Sequence, residues 1–326
     1  MSDKVSELLT RSFPTRRKFL AGLGISAGAS AIVGCGGKGS VTPTQPVTPT
    51  PPAATTPSDA DVLNFALNLE YLEAEFYLRA VTGTGLTAAD TGTSPGATTG
   101  GAQVNFTDPA IKAYAMEIAA DELAHVQFLR KALGSAAVDK PAIDLMNSFN
   151  AAAMAAGIGA TFNPFADQTS FILGAFVFED VGVTAYNGAV KYLLANNSVA
   201  ANAGFLNAAA AIHATEAYHA AEIRTLLVYM DAATPSAGLL ATAGKISALR
   251  GTASSASGGL AAEVAPTSKT IVACDSNSLA FPRSTDQVLD IVYLNATGKA
   301  ATKGGFYPMG MNGTITASAS ASSRKG

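Results

Sequence analysis

Four glutamates and two histidines stand at spacings that could hold metal. The stretch DELAH at 121–125 sets Glu122 three residues before His125, and TEAYH at 215–219 repeats the spacing with Glu216 and His219. Both lie in alanine-rich apolar runs, where a charge or an imidazole costs free energy to bury unless it is paired or bound. Positions i and i+3 share one helix face, so each pair can bring a carboxylate and an imidazole to one point. Two further glutamates, Glu70 in LEYLEAEFY and Glu179 in FEDVGVTAY, are each followed seven residues later by a tyrosine, Tyr77 and Tyr186. The order Glu, Glu-x-x-His, Glu, Glu-x-x-His reads as one helix pair used twice. Four carboxylates and two imidazoles facing inward are the donor set of di-iron and di-manganese carboxylate sites. Oxygen and nitrogen donors suit those metals better than a thiolate-preferring one. A lone Glu-x-x-His is a weak signal, but two of the chain's three histidines fall in this pattern.

Such a set needs four long helices. Ser58 or Asp59 can cap the first, in which Val62, Leu63, Ala66, Leu67, Leu69 and Leu72 recur at helical spacing through Arg79. A Gly/Thr-rich loop is expected over 82–105. Asp108-Pro109 predicts the start of the second helix and Gly134 its end, after Leu133. Residues 135–167 read as a long connection with one short helix near 142–156. Two more long helices are predicted, over 167–195 and 199–230. The expected fold is an all-α four-helix bundle, residues 58–231, with a long crossover between helices two and three. Residues 232–326 turn to Gly, Ser and Thr and read as an irregular extension. Its one predicted element is a helix over 284–294, opened by a capping box of Ser284 and Gln287.

Ahead of the bundle, Arg16-Arg17-Lys18-Phe19-Leu20 precedes an apolar stretch too short to span a membrane, so residues 1–34 read as a signal peptide. The twin arginines resemble a Tat signal, which exports folded proteins, against an ordinary Sec signal with incidental arginines. Ile32-Val33-Gly34-Cys35 resembles a lipobox, with Cys35 acylated; simple cleavage nearby is the alternative, and Cys274 is then the one other thiol. The Thr/Pro-rich run over 35–57 is an extended tether. Loss of residues 1–34 leaves 16 basic against 22 acidic residues. That balance gives no electrostatic reason to bind nucleic acid, and membrane contact would come through the lipid at Cys35 alone. The expected location is the periplasm or cell envelope.

Residues 59–231 resemble the ferritin-like superfamily. LNFALNLEYLEAEFYLRA, AFPRSTDQVLDIVYLNATG and GGFYPMGMNG are similar to its desiccation-related branch, so the likeness covers most of the chain after residue 58. The resemblance implies Glu70, Glu122, His125, Glu179, Glu216 and His219 as ligands to two iron or two manganese ions, or a mixed pair. Glu122 and Glu216 would be the bridging carboxylates at the reacting centre. Asp121 matches an aspartate that in such sites holds the imidazole of the opposite helix, here His219. The corresponding position in the fourth helix is Thr215, so His125 needs another partner, and the two metal positions need not bind equally. On its own, Asp121 reads equally as a solvated surface acid.

Tyr77 and Tyr186 could hydrogen-bond carboxylates around the site or carry a one-electron oxidation, or serve as core tyrosines with a polar handle. Glu73, on the face of Glu70, is an extra ligand, a metal-uptake carboxylate, or a solvated or salt-bridged side chain. His213 is rotated off the line of Glu216 and reads as a non-ligand. Two functions fit: an oxidoreductase acting on O2, peroxide or Fe(II) in a stress or desiccation response, in the manner of a ferroxidase or catalase, or a non-catalytic metal-binding or structural protein of the envelope. Association of copies into a homo-oligomer is compatible with either.

Overall fold

A computed structural model describes residues 56–195, 203–256 and 263–320. The expected signal segment, Cys35 and the expected tether up to residue 55 lie outside the described residues. Among the described residues are eight α-helices: α1 (Asp59–Thr82), α2 (Ala88–Thr91), α3 (Pro109–Leu133), α4 (Asn147–Ala155), α5 (Gln168–Ala195), α6 (Ala203–Ala233), α7 (Leu239–Ala256) and α8 (Thr285–Val292). The long ones, α1, α3, α5 and α6, form the bundle: α1 packs on α3, α5 packs on α6, and the two pairs meet through α1 and α5.

The helix ends are set by local chemistry. Ser58 accepts from Asp61 N at 3.2 Å while Asp61 accepts from Ser58 N at 2.8 Å, a capping box that satisfies two amide donors otherwise orphaned at a helix start. Gly83 stops α1 with φ 83°, a left-handed conformation favourable to glycine. Asp108 accepts from Ala110 N at 2.7 Å, with Pro109 in the first turn, and α3 ends at Gly134. Asp167 accepts from Ser170 N at 2.8 Å and opens α5. The α5 stretch Gln168–Leu193 is long and apolar enough to cross a membrane, but 78% of its most apolar window is buried inside the protein, as befits a central helix.

The expected loop after α1 is not wholly irregular. It contains α2 and the two-residue strand β1 (Thr98–Thr99), which pairs in parallel with β2 (Ile143–Asp144) of the crossover, Thr98 opposite Ile143. Beside that pairing the buried Lys140 donates to Gly96 O at 2.6 Å and Thr98 Oγ1 at 2.9 Å. The crossover is thereby fastened to the loop. Its helix α4 inserts Phe149 among Phe76, Phe178 and Phe306, while Phe76 stacks on Phe171 at 5.5 Å. Burial of each such ring is worth ~1.5–3 kcal/mol.

The C-terminal extension differs most from expectation. It contains α7, eighteen residues, packed against α5, α6 and α8. Its buried positions mix Leu239, Ala243, Ile246 and Ala253 with Ser247, Arg250, Gly251 and Ser254, so the apolar stripe is broken by polar and small residues. A buried ion network fixes the extension to the bundle. Asp180 of α5 accepts from Arg224 of α6 at 2.8 Å and from Arg250 of α7 at 2.7 Å, and Glu263 bridges Arg250 (2.9 Å) to Arg283 (2.5 Å). Farther along, Tyr307 donates to Asn68 O at 2.8 Å, and Asn68 exchanges two hydrogen bonds with the backbone of Asn312. The extension thus lies on α1 as well as on α5.

Candidate metal centre

The bundle brings the six sequence-predicted side chains together in its interior. Glu70, Glu122 and Glu216 are fully buried, Glu179 is 1% exposed and His219 5%. The His125 and His219 ring centroids are 6.3 Å apart. One ligand atom each from Glu70, Glu122, His125 and Glu216 lie within 4.8 Å of one another, and so do atoms from Glu122, Glu179 and His219. Glu122 belongs to both groups. The two Glu-x-x-His pairs, alike in spacing, are used differently. Glu122 and His125 of α3 meet in the first group, whereas Glu216 of α6 joins that group and its neighbour His219 joins the second. The spacing alone suggested that each pair serves one point; in α6 the pair is divided.

The donor atoms are aimed at space. Both oxygens of Glu122, both of Glu216, Glu179 Oε2 and His219 Nδ1 are buried without a hydrogen-bond partner. His219 Nδ1 lies 3.0 Å from Glu122 Oε1 without being aligned as a hydrogen bond, and His125 Nδ1, 3.6 Å from Glu122 Oε2, is paired instead with Glu70 Oε2 at 3.2 Å. Orphaned buried polar atoms are rare and costly in native proteins. Six in one place, all oxygens and imidazole nitrogens, are the donors that a hard or borderline divalent cation requires, so the residues present fit a metal centre.

Electrostatics point the same way. For these side chains by themselves, burial pushes Glu70 up to about 7 and Glu179 to about 8, with Glu122 adding repulsion in both. Burial, then Glu122, holds Glu216 and Glu73 well above the usual carboxylate range. Burial opposes ionisation of Glu122 too, but His125 and His219 overcome it and take it down to about 2. Burial would likewise lower the two imidazoles. Glu70 and Glu122 instead raise His125 to about 11, and Glu122 and Glu179 raise His219 to about 9. Carboxylates that cannot all ionise beside imidazoles held charged make a site short of positive charge.

The surrounding contacts cross the bundle. Tyr77 of α1 donates to Glu179 Oε1 of α5, and Tyr186 of α5 donates to Glu70 Oε1 of α1. The tyrosines therefore bond directly to two of the six, each on the opposite helix, and leave one carboxylate oxygen of each for the centre. His219 Nε2 stands 3.1 Å from Asp121 Oδ2 of α3, whose side chain is 41% exposed. Thr215 turns its hydroxyl to Ala211 O at 3.3 Å, and among the described residues no partner appears for His125 Nε2. Cys274 is half-buried in the extension, and His213 enters neither donor group.

Glu73, ambiguous in the sequence, is 4% exposed and lines an internal hollow together with Gly182. Glu73 and Gly182 occupy matching places, three residues after Glu70 and Glu179. A Cβ at Gly182 would collide with Glu216 Oε2, so the glycine makes room for that carboxylate.

Comparisons with known proteins agree with this architecture. Residues 58–229 match the family model for the ferritin-like domain. Ferritin-like catalase Nec2 of Nesocodon mauritianus is 28% identical over 274 residues, 79% of this chain and 85% of the relative. Desiccation-related protein PCC13-62 of Craterostigma plantagineum is 32% identical over 248 residues, 71% of this chain and 76% of the relative. No solved structure gives a significant match. The helical bundle, its buried carboxylate and imidazole donors and these matches together make the chain a member of the ferritin-like superfamily, in its desiccation-related branch.

Proposed function

We propose that the protein holds two iron or manganese ions between Glu70, Glu122, His125, Glu179, Glu216 and His219 and disproportionates peroxide in the cell envelope under oxidative or drying stress. The observation that carries this reading is the set of buried carboxylate and imidazole atoms converging from four helices, six of them without a hydrogen-bond partner. Charge balance supports two divalent ions. Their four positive charges match the four carboxylates of Glu70, Glu122, Glu179 and Glu216 and let both imidazoles bind uncharged. A bound redox-active metal pair would supply the electron exchange that peroxide chemistry needs. Peroxide is favoured over Fe(II) as substrate because the relative spanning most of the chain is named a catalase.

The protein's own residues have definite tasks in this reading. Glu122, common to both donor groups, joins the two positions. Tyr77 and Tyr186 fix the rotamers of Glu179 and Glu70, and Asp121 fixes the ring of His219. Glu73, buried and close to Glu216 across Gly182, is placed to take or give a proton beside the centre. The test is elemental analysis and O2 evolution from peroxide by the full chain loaded with iron or manganese. About two ions per chain with turnover are expected, both lost in Glu122→Ala. Binding without turnover of peroxide would leave a metal-binding protein and sink the catalytic reading.

Export belongs to the same proposal. Arg16-Arg17 and the apolar run before Cys35 support a Tat-like route and a lipid anchor, which would let the bundle fold and take up metal before leaving the cytoplasm. Replacing Arg16 and Arg17 with lysine should block export, and unchanged export would point to the Sec route.

A further inference from the structure

Two hollows lie end to end along α5, on the side covered by the C-terminal extension. The outer, about 620 Å3 with the space open to solvent, is walled by α4, α7 and α8, with Phe149, Ile246 and Leu294 in its lining. The inner, about 330 Å3 counted in the same way, is lined by Leu72, Phe178 and Val181 and reaches Glu73 and Gly182. Val177, Ile291 and Phe306 line both and form the partition between them. Val177 is half-buried, whereas Ile291 and Phe306 are 5% and 1% exposed. The inner hollow ends against the centre, because a Cβ on Gly182 would strike Glu216 and stand 3.4 Å from Glu73 Oε1.

A different hollow approaches from the opposite helices. Between α3 and α6, Glu117, Asp121, Thr215 and Glu222 surround the outer side of His219. This approach, which Tyr114, Ile118 and Tyr218 also line, is the more polar of the two. Peroxide carries two hydroxyl groups and would lose their hydrogen bonds to water in a passage walled by phenylalanine, valine and isoleucine. O2 has no such bonds to lose, and small apolar hollows take up apolar guests more readily than water.

We propose that the paired hollows along α5, divided by Val177, Ile291 and Phe306, are an O2-binding passage between the metal centre and the surface at α4, α7 and α8. This rests on the peroxide reading above, in which O2 is the apolar product that must leave; the hollow at Asp121 is the more polar way in for peroxide. The extension then does more than cover the bundle, since α7, α8 and Phe306 supply one wall of the passage.

The experiment is xenon pressurisation of crystals of the metal-loaded full chain, xenon being an uncharged apolar probe detectable by its scattering. Xenon density is expected in the outer hollow and in the inner one beside Val177 and Ile291. Val177→Phe should empty the inner site and slow the O2-driven reoxidation of the chemically reduced centre about ten-fold at unchanged metal content; Val177→Leu, a smaller plug, should give a smaller effect of the same sign. Absence of xenon from the inner hollow of the wild-type protein overturns the passage, as does an unchanged reoxidation rate in a folded variant whose inner hollow is filled. Xenon in both hollows without peroxide turnover supports the passage and refutes the peroxide reading. Turnover without inner xenon refutes the passage alone.

Discussion

Asp121 Oδ2 lies 3.1 Å from His219 Nε2, while Thr215, the residue at the matching place on α6, turns its hydroxyl away to Ala211 O. The outer nitrogens of the two imidazoles are therefore held unequally: His219 Nε2 by a carboxylate, and His125 Nε2, among the described residues, by none, while His125 Nδ1 meets Glu70 Oε2 at 3.2 Å inside the centre. A carboxylate behind a ligating histidine fixes its tautomer and raises its basicity, and losing it typically weakens metal affinity about 10–100-fold. Asp121→Asn should lower affinity at the His219 position by that factor and leave the His125 position largely unchanged. Chelator competition, resolving two binding steps, measures both. Equal weakening of the two steps would contradict the inequality.

A second prediction concerns pH. Glu70 (about 7) and Glu179 (about 8) stand above their unfolded value of 4.5, and His125 (about 11) and His219 (about 9) above 6.5. A group whose folded pKa is raised gives stability that is complete below its unfolded pKa and is lost as pH rises through the folded one. All four therefore act in one direction. Glu122, lowered to about 2, gives stability present above 4.5 and lost only in strong acid, outside this window. Metal-stripped protein should thus become easier to unfold as pH rises from about 4.5 to about 11, the span of these four shifts. Metal displaces the same protons, so the gap in Tm between loaded and stripped protein should widen over that range. Thermal unfolding with and without chelator measures this, and a gap that narrows with pH would contradict it.

Gly182 offers a sharper steric test. Its helical conformation suits alanine, but the added methyl would collide with Glu216 Oε2. Gly182→Ala should keep its helix content by circular dichroism and yet bind less metal, because Glu216 must swing away from His125. Full occupancy in this variant would mean that Glu216 is dispensable as a ligand.

The buried ion network yields a prediction about stability. Asp180 is the shared acceptor of Arg224 and Arg250, so Asp180→Ala leaves two buried guanidinium groups short of a partner. Breaking a buried pair from one side costs about 3–5 kcal/mol. Chemical denaturation should show a loss of that order, with protease cuts appearing first around α7, which loses the carboxylate that pins Arg250. A loss within the range of a surface ion pair, under about 1 kcal/mol, would show that water replaces the carboxylate.

Much of this architecture was legible because caps and donors are local signals. Ser58, Asp108-Pro109 and Gly134 marked helix ends to within a residue, and the repeated Glu-x-x-His identified the face of each helix that carries the donors. What one helix cannot announce is which neighbour it faces. The crossed bonds of Tyr77 to Glu179 and Tyr186 to Glu70, and the division of Glu216 from His219, depend on how four helices are rotated against one another. Helix α7 escaped notice for another reason. Its inward face interrupts Leu239, Ile246 and Ala253 with Ser247, Gly251 and Ser254, so the hydrophobic period is diluted while close packing remains, and its largest buried side chain, Arg250, has the look of a surface residue until its partners are known.

The bonds from Tyr307 and Asn312 back to Asn68 join parts of the chain 239 and 244 residues apart. Closing so long a loop is slow relative to forming a helix pair, and the segment that closes it is synthesised after all four bundle helices. All six donor residues are synthesised by residue 219, well before the segment that seals the α1–α5 face. Order of synthesis therefore gives the young protein an interval in which its donors exist without their cover, and tail docking ends that interval.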